Sequence, residues 1–337
     1  MKVLFGTKFS SNLIDYYKKE LPQSVDFITP DNYDEKSILE LAPEVEVFIH
    51  YTVSKEFLEK AKNLKHIQVP WTGSERMNFE LLKQYPNITV SNSHSNSLTI
   101  AEHAVALLLA VAKQLSYRDS LMRKGDWTPR YEHGMFSHSL IGKTVGIVGY
   151  GAIGQKSAKM LKNGFNMKVS AVKRNSMNYP EDGIFDFLGG MEDLSKVLKE
   201  SDFIIIALPL TPDTKGIIGQ EEFKIMKEGA VIVNIARGPI IDEQALYENL
   251  KTKKVSAGID VWYNYPERGV DFTNTDERKP VYQNYPFHEL DNIIMSPHSA
   301  FKVKDIGLKT AEDILENLKL LSEGKKPKNL LNIEYGY

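Results

Sequence analysis

The chain has 337 residues, which is enough for about two domains of ordinary size. Hydrophobic residues make up 42%, charged residues make up 26%, and the formal net charge is −2, so the composition is that of a globular protein and predicts neither nucleic-acid nor membrane binding. The absence of cysteine excludes disulfides, thiolate metal ligands and a thiol nucleophile, and we expect a cytoplasmic protein with no metal site.

The first hundred residues alternate short apolar runs with amphipathic stretches, which is typical of βαβ units and a parallel sheet. The opening stretch "MKVLFGTKFS" fits a first strand better than a signal peptide. The predicted strands are Val3–Phe5, Val25–Thr29, Val45–His50, His66–Val69 and Ile88–Ser91. The predicted helices are Ser11–Glu20, Glu35–Leu41, Lys55–Lys62 and Phe79–Gln84.

A long helix follows this first series. Thr99 and Glu102 have the T-x-x-E spacing of a capping box and precede an apolar run, so we expect the helix to start near Thr99. It should end near Gln114 or Leu115, and residues 123–143 are predicted to be rich in loops.

A second α/β series begins at Thr144. Strands are predicted at 144–148, 168–172, 203–208, 230–235, 256–261 and 293–295, and helices at 152–163 and about 304–322. The strands are rich in Val and Ile, as expected for strands that helices cover on both faces. The sequence therefore predicts two α/β domains, of which the second is the candidate for nucleotide binding.

The stretch "VGIVGYGAIGQ" places Gly149, Gly151 and Gly154 in a G-x-G-x-x-G pattern between a predicted strand and a predicted helix. In such a turn the first Gly permits a tight bend, the second lets a pyrophosphate approach the backbone, and the third lets helix and strand pack closely. The free N–H groups at the start of the helix attract the anion. This context predicts dinucleotide binding.

Lys173 and Arg174 occupy the position where an NAD-binding unit usually has an acidic residue that accepts hydrogen bonds from the ribose. Both side chains are cations that attract the 2′-phosphate of NADP, and Asn175 and Ser176 could add neutral donors. We therefore expect NADP to be preferred over NAD. The alternative is a solvated surface pair that tolerates NAD.

Two side chains suited to carbonyl reduction follow later strands. Arg237 comes just after a buried strand and offers a bidentate fork to a carboxylate. His298 comes just after another strand and can transfer a proton near neutral pH. Each could equally be a structural polar group on its own, but together they suit the reduction of an acid that carries a carbonyl group.

With these residues in place, the chain resembles the D-isomer-specific 2-hydroxyacid dehydrogenases. The resemblance runs from about Asn92 to Ala300 and rests on seven stretches in the same order. They are "NSHSNSLTIAEHAVALLL", "RKGDW", "LIGKTVGIVGYGAIG", "LPLTPDTKGIIG", "VNIARG", "GIDVW" and "SPHSA". The first ninety residues match the family in layout more than in motif.

The resemblance implies two Rossmann/flavodoxin-like parallel-sheet domains, with the cofactor domain inserted into the substrate domain. Residues 1–97 and 299–337 would form the substrate domain, and residues 98–298 the dinucleotide-binding domain. It also implies a homodimer that is built largely on the helix near Thr99.

The resemblance further implies the role of individual residues. Arg237 would bind the substrate, His298 would act as acid and base, and the backbone of Trp71, Thr72 and Gly73 would meet the substrate carboxylate. The remaining implied cofactor contacts are Ala152, Ile153, Leu208, Pro209, Ile235, Ala236, Asp260 and Ala300, with Arg237 and His298 also close to the cofactor.

The sequence departs from the family pattern at Tyr265, where the family usually has a Glu that bonds to the histidine. A phenol can orient an imidazole but does not raise its pKa as an anion does. Either Glu267 reaches the histidine instead, or His298 works without an anion, and we favour the second. The stretch Glu267–Asp291 is an unusual insert that could cover the cleft, border a dimer partner or be a surface excursion.

The loops His50–Val53 and Val69–Ser74 contain no Lys or Arg, which favours a small 2-oxo acid such as glyoxylate, hydroxypyruvate or pyruvate over a phosphorylated substrate. We therefore expect an NAD(P)-dependent enzyme that interconverts a 2-oxo acid and its D-2-hydroxy acid. Formate dehydrogenases of the same superfamily have a neutral residue at the position of Tyr265, so formate-like hydride abstraction is one alternative. A dinucleotide-sensing protein without turnover is another.

Overall fold

The computed structural model describes residues 1–131, 136–174, 183–266 and 283–336. By its internal contacts the chain divides into two compact units. The terminal unit combines Met1–Ser97 with Lys302–Tyr337, and the central unit is Leu98–Phe301.

The terminal unit contains a five-stranded sheet in which every pairing is parallel and the strand order is β2-β1-β3-β4-β5. This is a doubly wound order of the flavodoxin type. Its strands are β1 (Lys2–Phe5), β2 (Asp26–Ile28), β3 (Val47–Ile49), β4 (His66–Gln68) and β5 (Thr89–Ser91). Its helices are α1 (Ser11–Glu20), α2 (Glu35–Leu41), α3 (Lys55–Lys60), α4 (Phe79–Leu82) and α12 (Ile306–Ser322).

Successive side chains of a strand point to opposite faces of the sheet. Both faces of this sheet are buried. In β1, Val3 and Phe5 pack into a cluster with Ala311 and Ile314 of α12, whereas Leu4 packs into a second cluster on the other face. The returning chain end therefore completes the core of the unit that the first strands begin.

A buried polar network connects β4, β5 and α12 inside the terminal unit. His66 is fully buried, with its Nδ1 2.8 Å from Thr89 Oγ1 and its Nε2 2.9 Å from Ser91 Oγ. The Asn317 side chain donates to Gln68 Oε1, which also accepts from Ser91 Oγ. Burial lowers the pKa of His66 to about 3, and a hydrogen bond with Gln68 opposes this only in part.

We expect the network to make the protein sensitive to acid. The unfolded chain binds a proton at His66 below about pH 6.5, whereas the folded chain does not bind it until about pH 3, so stability falls as the pH drops through this window. The free energy of unfolding should fall by roughly 2 kcal/mol between pH 7 and pH 5 from this residue. Urea unfolding at both pH values measures the loss, and it should shrink clearly in His66→Gln. An unchanged loss would contradict the assignment.

The central unit contains a seven-stranded sheet, again with every pairing parallel, in the order β12-β11-β10-β9-β6-β7-β8. Its strands are β6 (Thr144–Val148), β7 (Lys168–Val172), β8 (Phe187–Gly189), β9 (Phe203–Ile206), β10 (Ala230–Asn234), β11 (Val255–Ile259) and β12 (Ile293–Met295). Its helices are α5 (Ser97–Ala112), α6 (Leu115–Met122), α7 (Thr128–Tyr131), α8 (Ala152–Phe165), α9 (Leu194–Glu200), α10 (Gln220–Ile225) and α11 (Glu243–Lys251).

The direction of winding in this sheet changes between β6 and β9. Ligands in open parallel sheets bind beyond the carboxyl ends of the strands at such a switch point. Side chains of β9 alternate between two cores, with Ile204 and Ile206 on one face and Phe203 and Ile205 on the other. The sheet is thus a rigid support for the loops that follow its strands.

The predicted fold class is confirmed, since both units are parallel-sheet α/β structures. The long helix begins near the predicted residue, but the capping-box pattern at Thr99 does not mark its start. α5 begins at Ser97, two residues before Thr99, which is buried within the helix. The sequence analysis also missed the strand β8 and the helices α6, α7, α9, α10 and α11.

Among the described residues, no single helix is both long and apolar enough to cross a membrane. α5 and α6 are long and apolar enough only when they are taken together, and they are bent by 59° where they meet.

Candidate functional site

The glycine turn after β6 has the geometry that its sequence predicts. Gly149 has a φ of +107°, and a Cβ added there would lie 2.6 Å from the carbonyl oxygen of Ala207. The N–H groups of Gly149 and Tyr150 both donate to the carbonyl of Val172, at 3.0 and 3.1 Å. These bonds fix the turn against the end of β7.

The next two glycines have different surroundings. A Cβ added to Gly151 would meet nothing within 4 Å, so this position opens into free space at the start of α8. A Cβ added to Gly154 would collide with the carbonyl oxygen of Gly149. Gly154 is therefore required for packing, whereas Gly151 leaves the backbone accessible.

These residues fit a dinucleotide pyrophosphate. The N-cap of α8, a helix of 14 residues, is Gly151, which has no side chain that could cap the helix, so the first N–H groups suit an anion. A side chain at Gly151 would fill the space that such an anion needs. Ala152 and Ile153 form the first turn of the helix beside that space.

Lys173 and Arg174 directly follow β7, whose last carbonyl holds the glycine turn. Lys173 is half-buried and its N–H donates to the carbonyl of Gly189, while Arg174 is exposed. The two cations therefore lie at the same edge of the sheet as the turn. Asn175 and Ser176, the other residues considered for this position, lie outside the described residues.

Arg237 follows β10 in a turn that is fixed by the side chain of Asn234. The Asn234 side chain accepts from Ala236 N–H and donates to the Arg237 carbonyl, both at 3.0 Å. The Arg237 guanidinium donates to the carbonyl of Ala236. A Cβ added to Gly238 would lie 2.5 Å from the backbone of Trp262, so Gly238 lets this loop pack closely against the next one. The sequence analysis missed the roles of Asn234 and Gly238.

Several other predicted site residues lie beyond the carboxyl ends of neighbouring strands. Leu208 and Pro209 follow β9, Ile235 and Ala236 follow β10, and Asp260 follows β11. His298 and Ala300 follow β12. The sheet order places these ends side by side, as expected for one ligand-binding edge.

His298 has a φ of +54°, a left-handed conformation that residues other than Gly rarely adopt. The buried carboxylate of Asp260 anchors the turn around it. One of its oxygens accepts from Ser299 N–H at 3.0 Å and the other from Ala300 N–H at 3.1 Å. Strained backbone of this kind persists where the surroundings hold it and clusters at functional sites.

Tyr265 lies beside His298, with ring centroids 5.5 Å apart and ring planes inclined by 46°. The phenol oxygen of Tyr265 accepts from Trp262 N–H at 3.1 Å. The other residue considered as a partner of His298, Glu267, lies outside the described residues. This neighbour of His298 is thus a neutral phenol.

Residues 267–282 of the insert lie outside the described residues, but its last part packs into the central unit. Phe287 is buried and contacts Tyr247 and Trp262, with ring centroids 5.6 and 5.9 Å away. The Gln283 side chain accepts from Tyr263 N–H. The described end of the insert is therefore anchored close to the loop that carries Tyr265.

Trp71, Thr72 and Gly73 lie in the terminal unit, in the loop after β4. Asn92 donates to the Thr72 carbonyl at 2.6 Å, and Trp71, which is 44% exposed, stacks on Tyr51 with ring centroids 5.8 Å apart. The Arg76 guanidinium carbon lies 5.7 Å from the centre of the Tyr51 ring. The sequence analysis missed this cation because Arg76 lies two residues beyond Val69–Ser74, the loop without Lys or Arg.

Comparison with known proteins agrees with this geometry. Residues 105–300, more than half of the chain, match the family model described as "D-isomer specific 2-hydroxyacid dehydrogenase, NAD binding domain". The chain is 34% identical over 306 residues to a glyoxylate reductase of Thermococcus litoralis, with 88% of this chain and 86% of that enzyme covered.

Two further comparisons cover nearly the whole chain. It is 29% identical to a D-3-phosphoglycerate dehydrogenase of Archaeoglobus fulgidus over 99% of its residues, but it spans only 59% of that enzyme's length. The fold matches an acyclic imino acid reductase (Bsp5), solved in complex with NADPH and D-Arg, with a TM-score of 0.76 and 27% identity. That match covers 98% of this chain and all of the other. The chain therefore belongs to the D-isomer specific 2-hydroxyacid dehydrogenases and contains their NAD-binding domain.

Proposed function

We propose that the protein is an NADP-preferring oxidoreductase that interconverts a small 2-oxo acid and its D-2-hydroxy acid. In this proposal residues 98–298 form the dinucleotide-binding domain, and residues 1–97 with 299–337 form the substrate domain. The main support is the convergence of the glycine turn, Arg237 and the Asp260-anchored His298 at the carboxyl edge of one parallel sheet.

Arg237 binds the substrate in this mechanism. Its guanidinium pairs with the substrate carboxylate through two parallel hydrogen bonds and polarises the neighbouring carbonyl group. The support is its position after β10 and the Asn234 contacts that hold its backbone. Backbone N–H groups of Trp71, Thr72 and Gly73 provide further donors to the carboxylate.

His298 transfers the proton. As an imidazolium it donates to the carbonyl oxygen during reduction, and as an imidazole it accepts the proton in the reverse direction. The nicotinamide supplies or accepts the hydride when it is bound. Tyr265 limits the motion of the imidazole through its ring contact without placing a negative charge next to it.

The backbone and apolar side chains at this edge hold the dinucleotide. Gly149, Gly151 and Gly154 with the start of α8 bind the pyrophosphate, and Lys173 and Arg174 bind the 2′-phosphate of NADP. The other proposed contacts are Ala152, Ile153, Leu208, Pro209, Ile235, Ala236, Asp260 and Ala300. The preference for NADP is supported by the two cations after β7 and by the NADPH bound to the similar imino acid reductase.

A titration of the protein's fluorescence with NADPH and with NADH tests this proposal. We expect NADPH to bind at least about tenfold more tightly than NADH, because two charge-assisted contacts to the phosphate are lost with NADH. Lys173→Ala/Arg174→Ala should remove the difference while the affinity for NADH stays the same. Gly151→Ala should weaken both cofactors, and Gly164→Ala, on the same helix and also in open space, should weaken neither. If the wild-type protein bound NADPH and NADH equally, Lys173 and Arg174 would be a surface pair that does not contact the 2′-phosphate.

A second candidate substrate class is a 2-imino acid. The imino acid reductase that this chain resembles supports it, as does the aromatic neighbour of His298. An imine is more basic than a ketone and is protonated more readily. Its reduction therefore requires a weaker proton donor in the site. Product analysis with glyoxylate alone and with glyoxylate plus ammonium distinguishes the hydroxy acid from the amino acid.

We also propose that the protein is a homodimer. The segment formed by α5, α6 and the chain up to α7 exposes several large apolar side chains, including Leu115, Met122 and Trp127 at 54%, 45% and 55%. Apolar surface of this kind often marks a protein interface. Sedimentation equilibrium measures the mass directly.

A further inference from the structure

α5 lies unusually close to β11, because a glycine in that strand leaves room for it. A Cβ added to Gly258 would lie 3.0 Å from Leu107 Cβ and 3.5 Å from Val111 Cγ2. Leu107 and Val111 are four residues apart and therefore share one face of the helix. That face contacts the strand directly at Gly258.

The same geometry brings His103 to Asp260. His103 is one turn before Leu107 on α5, and Asp260 is two residues after Gly258, so both point into the same contact. His103 Nε2 is 3.5 Å from Asp260 Oδ1 and 3.2 Å from Ser296 Oγ. Ser296 Oγ in turn donates to Asp260 Oδ1.

The direction of these hydrogen bonds follows from the donors available. A serine hydroxyl has one hydrogen, and Ser296 gives it to the Asp260 carboxylate. The contact between His103 and Ser296 therefore requires that His103 Nε2 be the donor. His103 thus supplies a hydrogen-bond donor to the group that holds Asp260.

Asp260 connects this network to the turn that carries His298. Its two oxygens accept the N–H groups of the two residues that directly follow His298, whose own backbone is left-handed. A non-glycine residue keeps this conformation only if its surroundings hold it. A shift of the Asp260 carboxylate would therefore change the position of the imidazole.

We propose that His103 is a positioning residue for His298, acting through Ser296 and Asp260. The significance of this network for catalysis rests on the proposed function, because it assumes that His298 transfers a proton. The network itself does not depend on that assumption. It makes the catalytic turn depend on where α5 lies.

Two kinds of measurement on His103→Leu and His103→Gln test the proposal. In His103→Leu we expect hydrogen exchange of the Ser299 and Ala300 amides to accelerate at least about tenfold and kcat to fall about tenfold. The Gln amide provides a donor again, so His103→Gln should recover most of both losses. Glu102→Leu, exposed on the same helix, should match the wild-type protein.

Ser296→Ala provides an independent approach that leaves α5 unchanged. It should accelerate exchange of the same two amides, and adding His103→Leu to it should have little further effect, because both changes break one network. Additive effects of Ser296→Ala and His103→Leu on exchange would overturn the proposal. So would an exchange rate in His103→Leu equal to that of the wild-type protein. A fall in kcat and a rise in exchange in His103→Gln as large as in His103→Leu would overturn it as well.

Hydrogen exchange needs neither substrate nor turnover, so the two proposals can fail separately. Wild-type protein that reduces no 2-oxo acid would contradict the proposed function, while the exchange data would still decide on the network. Normal reduction in His103→Leu, with unchanged exchange, would contradict the network alone.

Discussion

Replacing His298 with Ala is expected to lower kcat for 2-oxo acid reduction at least about a hundredfold, because the proposed proton donor to the carbonyl oxygen is removed. The affinity for NADPH should stay close to that of the wild-type protein, since the proposed pyrophosphate site is the glycine turn after β6. Steady-state kinetics with glyoxylate and hydroxypyruvate, together with the fluorescence titration, measure both effects.

The left-handed backbone of His298 calls for a second variant as a control. Asn tolerates this conformation better than Ala does and keeps a polar side chain, but it does not exchange protons near neutral pH. His298→Asn should therefore lose as much activity as His298→Ala and unfold at a temperature closer to that of the wild-type protein. A variant with substantial 2-oxo acid reduction would show that the histidine assignment is wrong. Formate-dependent cofactor reduction that survives both changes would favour formate-like hydride abstraction.

Much of the fold could be predicted from the sequence because its strands are short Val- and Ile-rich runs with helices on both sides. Strands β6 and β7 have the predicted bounds, and β1 begins one residue earlier than predicted. The glycine turn was also predictable, since Gly149 and Gly154 occupy positions where a Cβ would collide with backbone.

α6 and β8, two of the elements that were missed, have weak local signals. Gln114 breaks the long helix in a left-handed conformation, with a φ of +53°, without the glycine that usually marks such a position. The capping-box pattern at Thr99 occurs two residues inside the helix, so a local motif was mistaken for the boundary. β8 is a three-residue strand at the edge of its sheet, too short to show a periodicity.

The candidate site shows a similar division. Arg237 and His298 could be proposed as site residues because each lies three residues after the end of a strand. Their supports could not be found, because these depend on residues that are distant in the chain. His103 and Ser296 are 193 residues apart, and only the packing of α5 on β11 brings them together. Arg76 was missed for a related reason, since its approach to within 5.7 Å of the Tyr51 ring centre depends on the folded structure and not on a local motif.

Replacing Arg237 with Ala is expected to lower kcat/KM for a 2-oxo acid roughly a hundredfold to a thousandfold, because the proposed desolvated charge pair with the substrate carboxylate is lost. Arg237→Lys keeps the charge but not the planar fork, so it should recover only part of the activity. Both variants should bind NADPH like the wild-type protein, because the Asn234 contacts that hold this turn involve backbone groups of Ala236 and Arg237 and survive the change. Kinetics over a range of 2-oxo acid concentrations, with the fluorescence titration as control, measure these effects.

An unchanged kcat/KM would remove Arg237 from the substrate site. If the wild-type protein turned over no substrate and both variants still bound NADPH, a dinucleotide-sensing protein would become the better description.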